Sequence, residues 1–240
     1  MFALEKVADP KFFAENRMPA HSDHVFYANF LELERRQSSF TRSLDGIWYF
    51  HYAKNPGQRT LGFETMHFDV EGWDTIHVPA HWQLEGWGHP HYTNQTYPWD
   101  GHEVVHPGEI PLRENPVGEY VKEFILPEGW ERDTVLTLHG AESAVAVYLN
   151  GHYVGYSEDS FTPASFDLTP YLLPGKNRLA LEVFRYSAGS WLEDQDFFRF
   201  SGIFRKVTLT HRPLLHIEDI RVTATPVHAY RDGKLALSLR

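Results

Sequence analysis

Apolar and polar residues alternate with period two along most of the chain, the spacing of half-buried strands, and the 3.6-residue recurrence of an amphipathic helix is scarce. Val121 to Leu126 (VKEFIL) reads as extended, and Thr134 to His139 (TVLTLH) alternates cleanly. Ala144 to Leu149 (AVAVYL) runs into Asn150-Gly151 and then into His152 to Tyr156 (HYVGY). An Asn-Gly pair between two β-rich runs predicts a hairpin, because both residues tolerate the positive φ of a type I′ turn. Further strands are predicted over Arg178 to Phe184, Phe204 to Thr210 and Ile217 to Thr223, and a few helical turns over Phe30 to Arg36. Short strands separated by Gly, Pro and Asn turns predict an all-β fold, an antiparallel β-sandwich of the jelly-roll kind.

Three regions depart from this pattern. Residues 1–40 are mixed in character and read as an N-terminal arm lying over something, ahead of the sandwich of residues 41–212. Residues 86–118 hold Pro90, Pro98, Pro107, Pro111 and Pro116 with several glycines, a long structureless loop of the kind that usually carries function. Beyond Pro213, residues 213–240 carry Ile217 to Thr223, an Asp232-Gly233 turn and the alternating Lys234 to Leu239. Two strands do not make a sheet with its own core. This segment is therefore expected to open a second, truncated β domain; the alternative is a hairpin that completes the first sheet.

Composition narrows the function classes. The 240 residues carry 22 Lys+Arg against 32 Asp+Glu, a formal charge of −10, with no basic cluster to neutralise phosphates. Nucleic acid and an anionic membrane surface are thereby disfavoured as partners. With no cysteine, disulfides and thiolate chemistry are excluded, which fits a cytoplasmic setting. The first residues lack the apolar stretch of a secretory signal, and no apolar run approaches the ~20 residues of a membrane span. Seven Trp, 12 Tyr and 17 Phe exceed what a small core needs, so binding surfaces built from rings are expected beside core filler.

Candidate chemistry is sparse. His102-Glu103-Val104-Val105-His106 fits the H-E-x-x-H pattern of zinc peptidases, but that chemistry needs both imidazoles one helical turn apart. Pro98 to Gly101 before it and Pro107-Gly108 after it deny the helix. The other histidines, of 15 in all, lack metal-ligand spacing. In Trp191 to Arg199 (WLEDQDFFR), Glu193, Asp194 and Asp196 crowd three like charges between rings. A hard cation, an arginine or a polyol would offset that repulsion. No two carboxylates are placed to face each other across a sugar ring, as glycoside hydrolysis requires.

Several segments together resemble the N-terminal domain of a glycoside hydrolase family 2 β-galactosidase. They are Leu44 to Phe50 (LDGIWYF), Val78 to Gly86 (VPAHWQLEG), Tyr92 to Pro98 (YTNQTYP), Glu114 to Gly118 (ENPVG), Asn150 to Ser160 (NGHYVGYSEDS) and Ser190 to Arg205, with WLEDQD and RFSGIFR. Pro19 to Ser22 (PAHS) and Asp159 to Pro163 (DSFTP) are similar to the large subunit of the two-subunit bacterial type. The resemblance implies a galactose-binding-like jelly roll, then an immunoglobulin-like sandwich, then a TIM barrel with both catalytic glutamates outside this chain. It also implies no catalytic residue here, two substrate-binding residues, Asn94 and Asp196, and sodium held in part by Asp196 in the complete enzyme. Magnesium ligands, the galactoside substrate's remaining contacts and any small subunit or homo-oligomeric partner would lie elsewhere. A stand-alone lectin-like module is the rival expectation. For Asn94 the plainer role is a turn residue capping its own backbone; for Asp196 it is pairing with Arg199 or Arg205.

Overall fold

The computed structural model describes residues 1–193 and 196–240. Its largest sheet is built from β1 (Ala14–Glu15), β3 (Gly46–Ala53), β4 (Asp74–Val78), β6 (Val117–Ile125), β8 (Ala144–Leu149), β9 (His152–Ser157) and β11 (Lys176–Phe184), in the order β1-β9-β8-β11-β6-β3-β4. Facing it is a sheet of β10 (Ala164–Asp167), β7 (Thr134–Leu138), β13 (Val207–His211) and β2 (Thr41–Ser43), in that order. Among the described residues every strand pairing within the two sheets is antiparallel.

The core lies between these sheets. Trp48, Phe50, Tyr120, Leu179 and Leu181 of the large sheet meet Leu136, Leu138, Phe166, Val207 and Leu209 of the small one. The large sheet's other face is covered too. Phe2 and Val7, around helix α1 (Leu4–Ala8), together with Phe63, pack on Ala144, Ala146, Tyr148, Tyr156 and Ala180. Burial on both faces explains why Ala144 to Leu149 is apolar at every position rather than alternating. The arm is thus integrated with the sandwich: β1 pairs with the edge strand β9, and Asn16 Nδ2 donates to Val154 O at 2.9 Å. Further on, helix α2 (Phe30–Arg35) starts at Asn29, whose side chain accepts from Glu32 N.

The Asn150-Gly151 hairpin forms with Leu149 opposite His152, and Asn150 (φ 54°) and Gly151 (φ 86°) adopt the left-handed conformations that a type I′ turn demands. Other expectations need correction. The strand expected over Val121 to Leu126 starts at Val117, and the one expected from Phe204 starts at Val207. Residues 201–203 are held instead by backbone bonds: Ala80 N to Ile203 O, Trp82 N to Ser201 O and Glu142 N to Gly202 O. The 86–118 stretch is not structureless, for it contains β5 (His91–Thr93), paired with β12 (Phe197–Arg199) in a separate ribbon.

At the C-terminus β14 (Ile220–Val227) pairs with β15 (Asp232–Leu239) and with neither sandwich sheet. The turn falls at residues 228–231 and not at Asp232-Gly233, because Val227 pairs with Asp232 and the Asp232 carboxylate binds His228 Nδ1 at 2.7 Å. The arm straps the approach to this hairpin. Ser22 N donates to Asp219 Oδ1 (2.9 Å), Ile220 N donates to Ser22 Oγ (2.9 Å), and His24 Nε2 lies 2.7 Å from Ile217 O.

Candidate functional site

The ribbon pairs Arg199 with His91, Phe198 with Tyr92 and Phe197 with Thr93. Carrying that register one residue further sets Asp196 opposite Asn94, so two side chains about a hundred positions apart in sequence lie at the same end of the ribbon. Both are exposed. Tyr92 Oη donates to Asp196 Oδ1 at 2.7 Å. That bond to the carboxylate, with burial and the carboxylate's charge behind it, raises the Tyr92 phenol above its ordinary pKa.

The turn after β5 decides what Asn94 does not do. Thr93 Oγ1 donates to Thr96 O at 2.7 Å and accepts from Thr96 N at 3.3 Å, so the threonine closes the turn. Among the described residues the Asn94 amide has no protein hydrogen-bond partner. It is free to offer both a donor and an acceptor to a hydroxyl. Of the two arginines expected as alternative partners of Asp196, Arg205 donates through Nη1 to Phe161 O at 2.6 Å, and Arg199 donates through Nη1 to Glu193 O.

Of the acidic run, Asp194 lies outside the described residues. Glu193 turns inward, accepting from Ser160 N (3.1 Å) and Ser160 Oγ (2.9 Å). Burial raises its pKa, and the Ser160 bonds partly counter that. Nearby, Glu158 accepts from Tyr156 Oη (2.8 Å) and Gly189 N (2.7 Å), and burial pushes it up to about 7. Glu193 and Asp196 thus meet different surroundings, Glu193 half-buried against Ser160 and Asp196 exposed beside Tyr92.

Rings supply the apolar surroundings. Tyr92 and Phe198 pair across the ribbon with centroids 5.5 Å apart, both about half exposed, and Phe198 continues to Phe200 at 6.0 Å. A second group, Tyr97, Trp99 and Trp191, is buried or half-buried, with Tyr97 and Trp99 parallel at 5.2 Å and Trp99 meeting Trp191 at 4.9 Å. Trp191 Nε1 donates to Glu109 O at 3.0 Å, which fastens the long loop to the segment before Asp196. The first group suits contact with a ligand, and the second holds the loop in place.

Residues 102–106 are non-helical. Glu103 is used locally, accepting Leu112 N and Arg113 N at 3.0 Å each. Among the described residues no three His, Asp or Glu side chains gather as a metal-binding group. Asp196 is an exposed carboxylate, a hard oxygen donor of the kind that can ligate a hard cation, with Oδ1 accepting from Tyr92. Tyr92 was missed as a site residue by sequence reasoning. Its role depends on a partner 104 positions away, and no local pattern signals that.

Residues 41–213 match the sequence model of a family described as glycosyl hydrolases family 2, sugar binding domain. The chain belongs to that family. It is 50% identical over 233 residues to a β-galactosidase from Halalkalibacterium halodurans, covering 96% of this chain and 23% of that protein. It is 42% identical over 238 residues to a β-galactosidase large subunit from Lactobacillus acidophilus, covering 94% of this chain and 38% of that subunit. In fold it is similar to a β-glucuronidase from an uncultured Clostridium sp., with a TM-score of 0.60 at 23% identity over 91% of this chain and 35% of that one. The chain thus spans between about a quarter and two fifths of the curated relatives it matches.

Proposed function

We propose that this chain is the N-terminal sugar-binding part of a β-galactosidase that hydrolyses terminal β-D-galactosides, lactose among them, with retention. The catalytic glutamates belong to a barrel that follows in the parent chain, with the β14–β15 hairpin as the opening of an intervening immunoglobulin-like sandwich. The role of residues 1–240 is to orient the sugar. The observation that carries this reading is the shared end of the β5–β12 ribbon. There an unclaimed amide, Asn94, stands opposite a tyrosine-oriented carboxylate, Asp196, beside the exposed rings of Tyr92 and Phe198. An amide gives and accepts hydrogen bonds, a carboxylate accepts strongly from vicinal hydroxyls, and rings cover the C–H face of a pyranose.

In the complete enzyme Asp196 also supplies one ligand to sodium, and magnesium binds elsewhere. Among the described residues no helix is long and apolar enough to cross a membrane; the reading sets the enzyme in the cytoplasm, acting as a homo-oligomer or with a separate small subunit. The test uses the full-length protein: galactoside hydrolysis by Asn94→Ala and Asp196→Ala variants across a sodium titration. Impaired hydrolysis in both, with weakened sodium dependence in Asp196→Ala, is expected. Kinetics unchanged from the parent at every sodium concentration would remove the pair from the site.

A further inference from the structure

The β5–β12 ribbon is two strands of three residues each, with no turn joining them and just over a hundred residues of chain between. A two-stranded ribbon is marginal in water by itself, so something beneath must hold it. Arg185, the residue after β11 at the centre of the large sheet, is 9% exposed and reaches that position. Its Nη2 donates to His89 O at 3.1 Å, two residues before β5, and approaches Arg199 O, the last residue of β12, at 3.4 Å. One nitrogen therefore engages the lead-in to β5 and the last residue of β12. The base of Arg185 is fixed in turn: its N–H donates to Pro116 O at 3.0 Å, and Asn115 exchanges two 2.9 Å bonds with Tyr186. The guanidinium carbon also lies 5.3 Å from the Tyr186 ring centre.

Position along the ribbon gives this contact its meaning. Arg199 pairs with His91, so Arg185 grips one end, while Asn94 and Asp196 stand at the other. Three residue steps separate the ends, about 10 Å at ~3.4 Å per residue. A tilt of about 6° at the gripped end displaces the far end by about 1 Å, and misplacement on that scale can cost about a hundredfold in rate.

We infer that Arg185 is a positioning residue for the sugar-binding pair, anchoring the root of the ribbon to the sandwich so that Asn94 and Asp196 are presented in one geometry. The inference rests on the function proposed above. Arg185 acts through the ribbon, not on the substrate.

The test is a double-mutant cycle in the full-length enzyme. Arg185→Ala removes the anchor outright, and Arg185→Lys keeps the buried charge and loses the planar fork, which guards against a variant that fails to fold. Circular dichroism melts confirm the folded fraction. Arg185→Lys is expected to lower kcat/KM for a galactoside about tenfold. In an Asn94→Ala/Asp196→Ala background the same change should cost less than about twofold, since both groups being positioned are gone. An equal loss in both backgrounds, or no loss in either, would overturn the inference while leaving the site intact. An Asp196→Ala enzyme as active as the parent would overturn the site and this inference together.

Discussion

Tyr92 Oη and Asp196 Oδ1 lie 2.7 Å apart across 104 residues of sequence, and this hydrogen bond ties the two strands of the ribbon together beside the exposed end. It fixes one oxygen of an exposed carboxylate. Tyr92→Phe keeps the ring that pairs with Phe198 and removes the donor. In the full-length enzyme it should raise the KM for galactosides several-fold, in line with losing one orienting hydrogen bond of ~1 kcal/mol, while the melting temperature changes little. Steady-state kinetics with a thermal melt check both.

A second expectation concerns pH. Glu142 is buried and lines a cavity of about 20 Å³ with Arg185, Arg199 and Glu193, and burial pushes its carboxyl up to about 8. An unfolded glutamate titrates near ~4.3. Between those values the folded state keeps a proton that the unfolded chain has released. The stability contributed by Glu142 is therefore full below ~4.3 and is lost as pH rises through the folded value. Glu158, raised to about 7 by burial, acts in the same direction. Melting temperature should fall between about pH 5 and pH 8, and Glu142→Gln should flatten that fall. Parallel pH profiles for variant and parent would refute it.

Arg59 and Glu182 make a buried ion pair on the outer face of the large sheet, at 2.9 Å with side chains 6% and 0% exposed. The Glu182 carboxylate also accepts Phe2 N at 3.1 Å, and Arg59 donates to Phe2 O at 2.9 Å, so the pair pins the arm. Arg59→Ala strands a buried carboxylate and should destabilise by about 3–5 kcal/mol. Denaturant unfolding gives the magnitude, and faster amide exchange over residues 1–16 is expected with it.

Gly118 in β6 supplies a packing test. A Cβ there would stand 2.5 Å from Trp82 Cζ2 and 2.9 Å from Phe50 Cε2. Both rings are fully buried, with no solvent side to move toward. Gly118→Ala should cost about 1–3 kcal/mol through overpacking. An unchanged denaturation midpoint would show that the Trp82 ring can shift.

The strands were legible where period-two alternation or an Asn-Gly turn recorded them, because a strand's pleat writes its burial directly into neighbouring residues. Thr134 to Leu138 and the 144–157 hairpin are such cases. The family was legible from motifs spread in order along the chain, which also singled out Asn94 and Asp196. Long-range pairing was not. Neither the insertion of Ala14–Glu15 at the edge of the large sheet nor the ribbon made by His91–Thr93 with Phe197–Arg199 leaves a local period, since each element is too short to repeat one. Likewise Glu193 and Asp196 are both acidic residues in one run, and composition treats them alike. Packing half-buries the first against Ser160 and leaves the second exposed beside Tyr92, because the environment that separates them is assembled from residues far away in the chain.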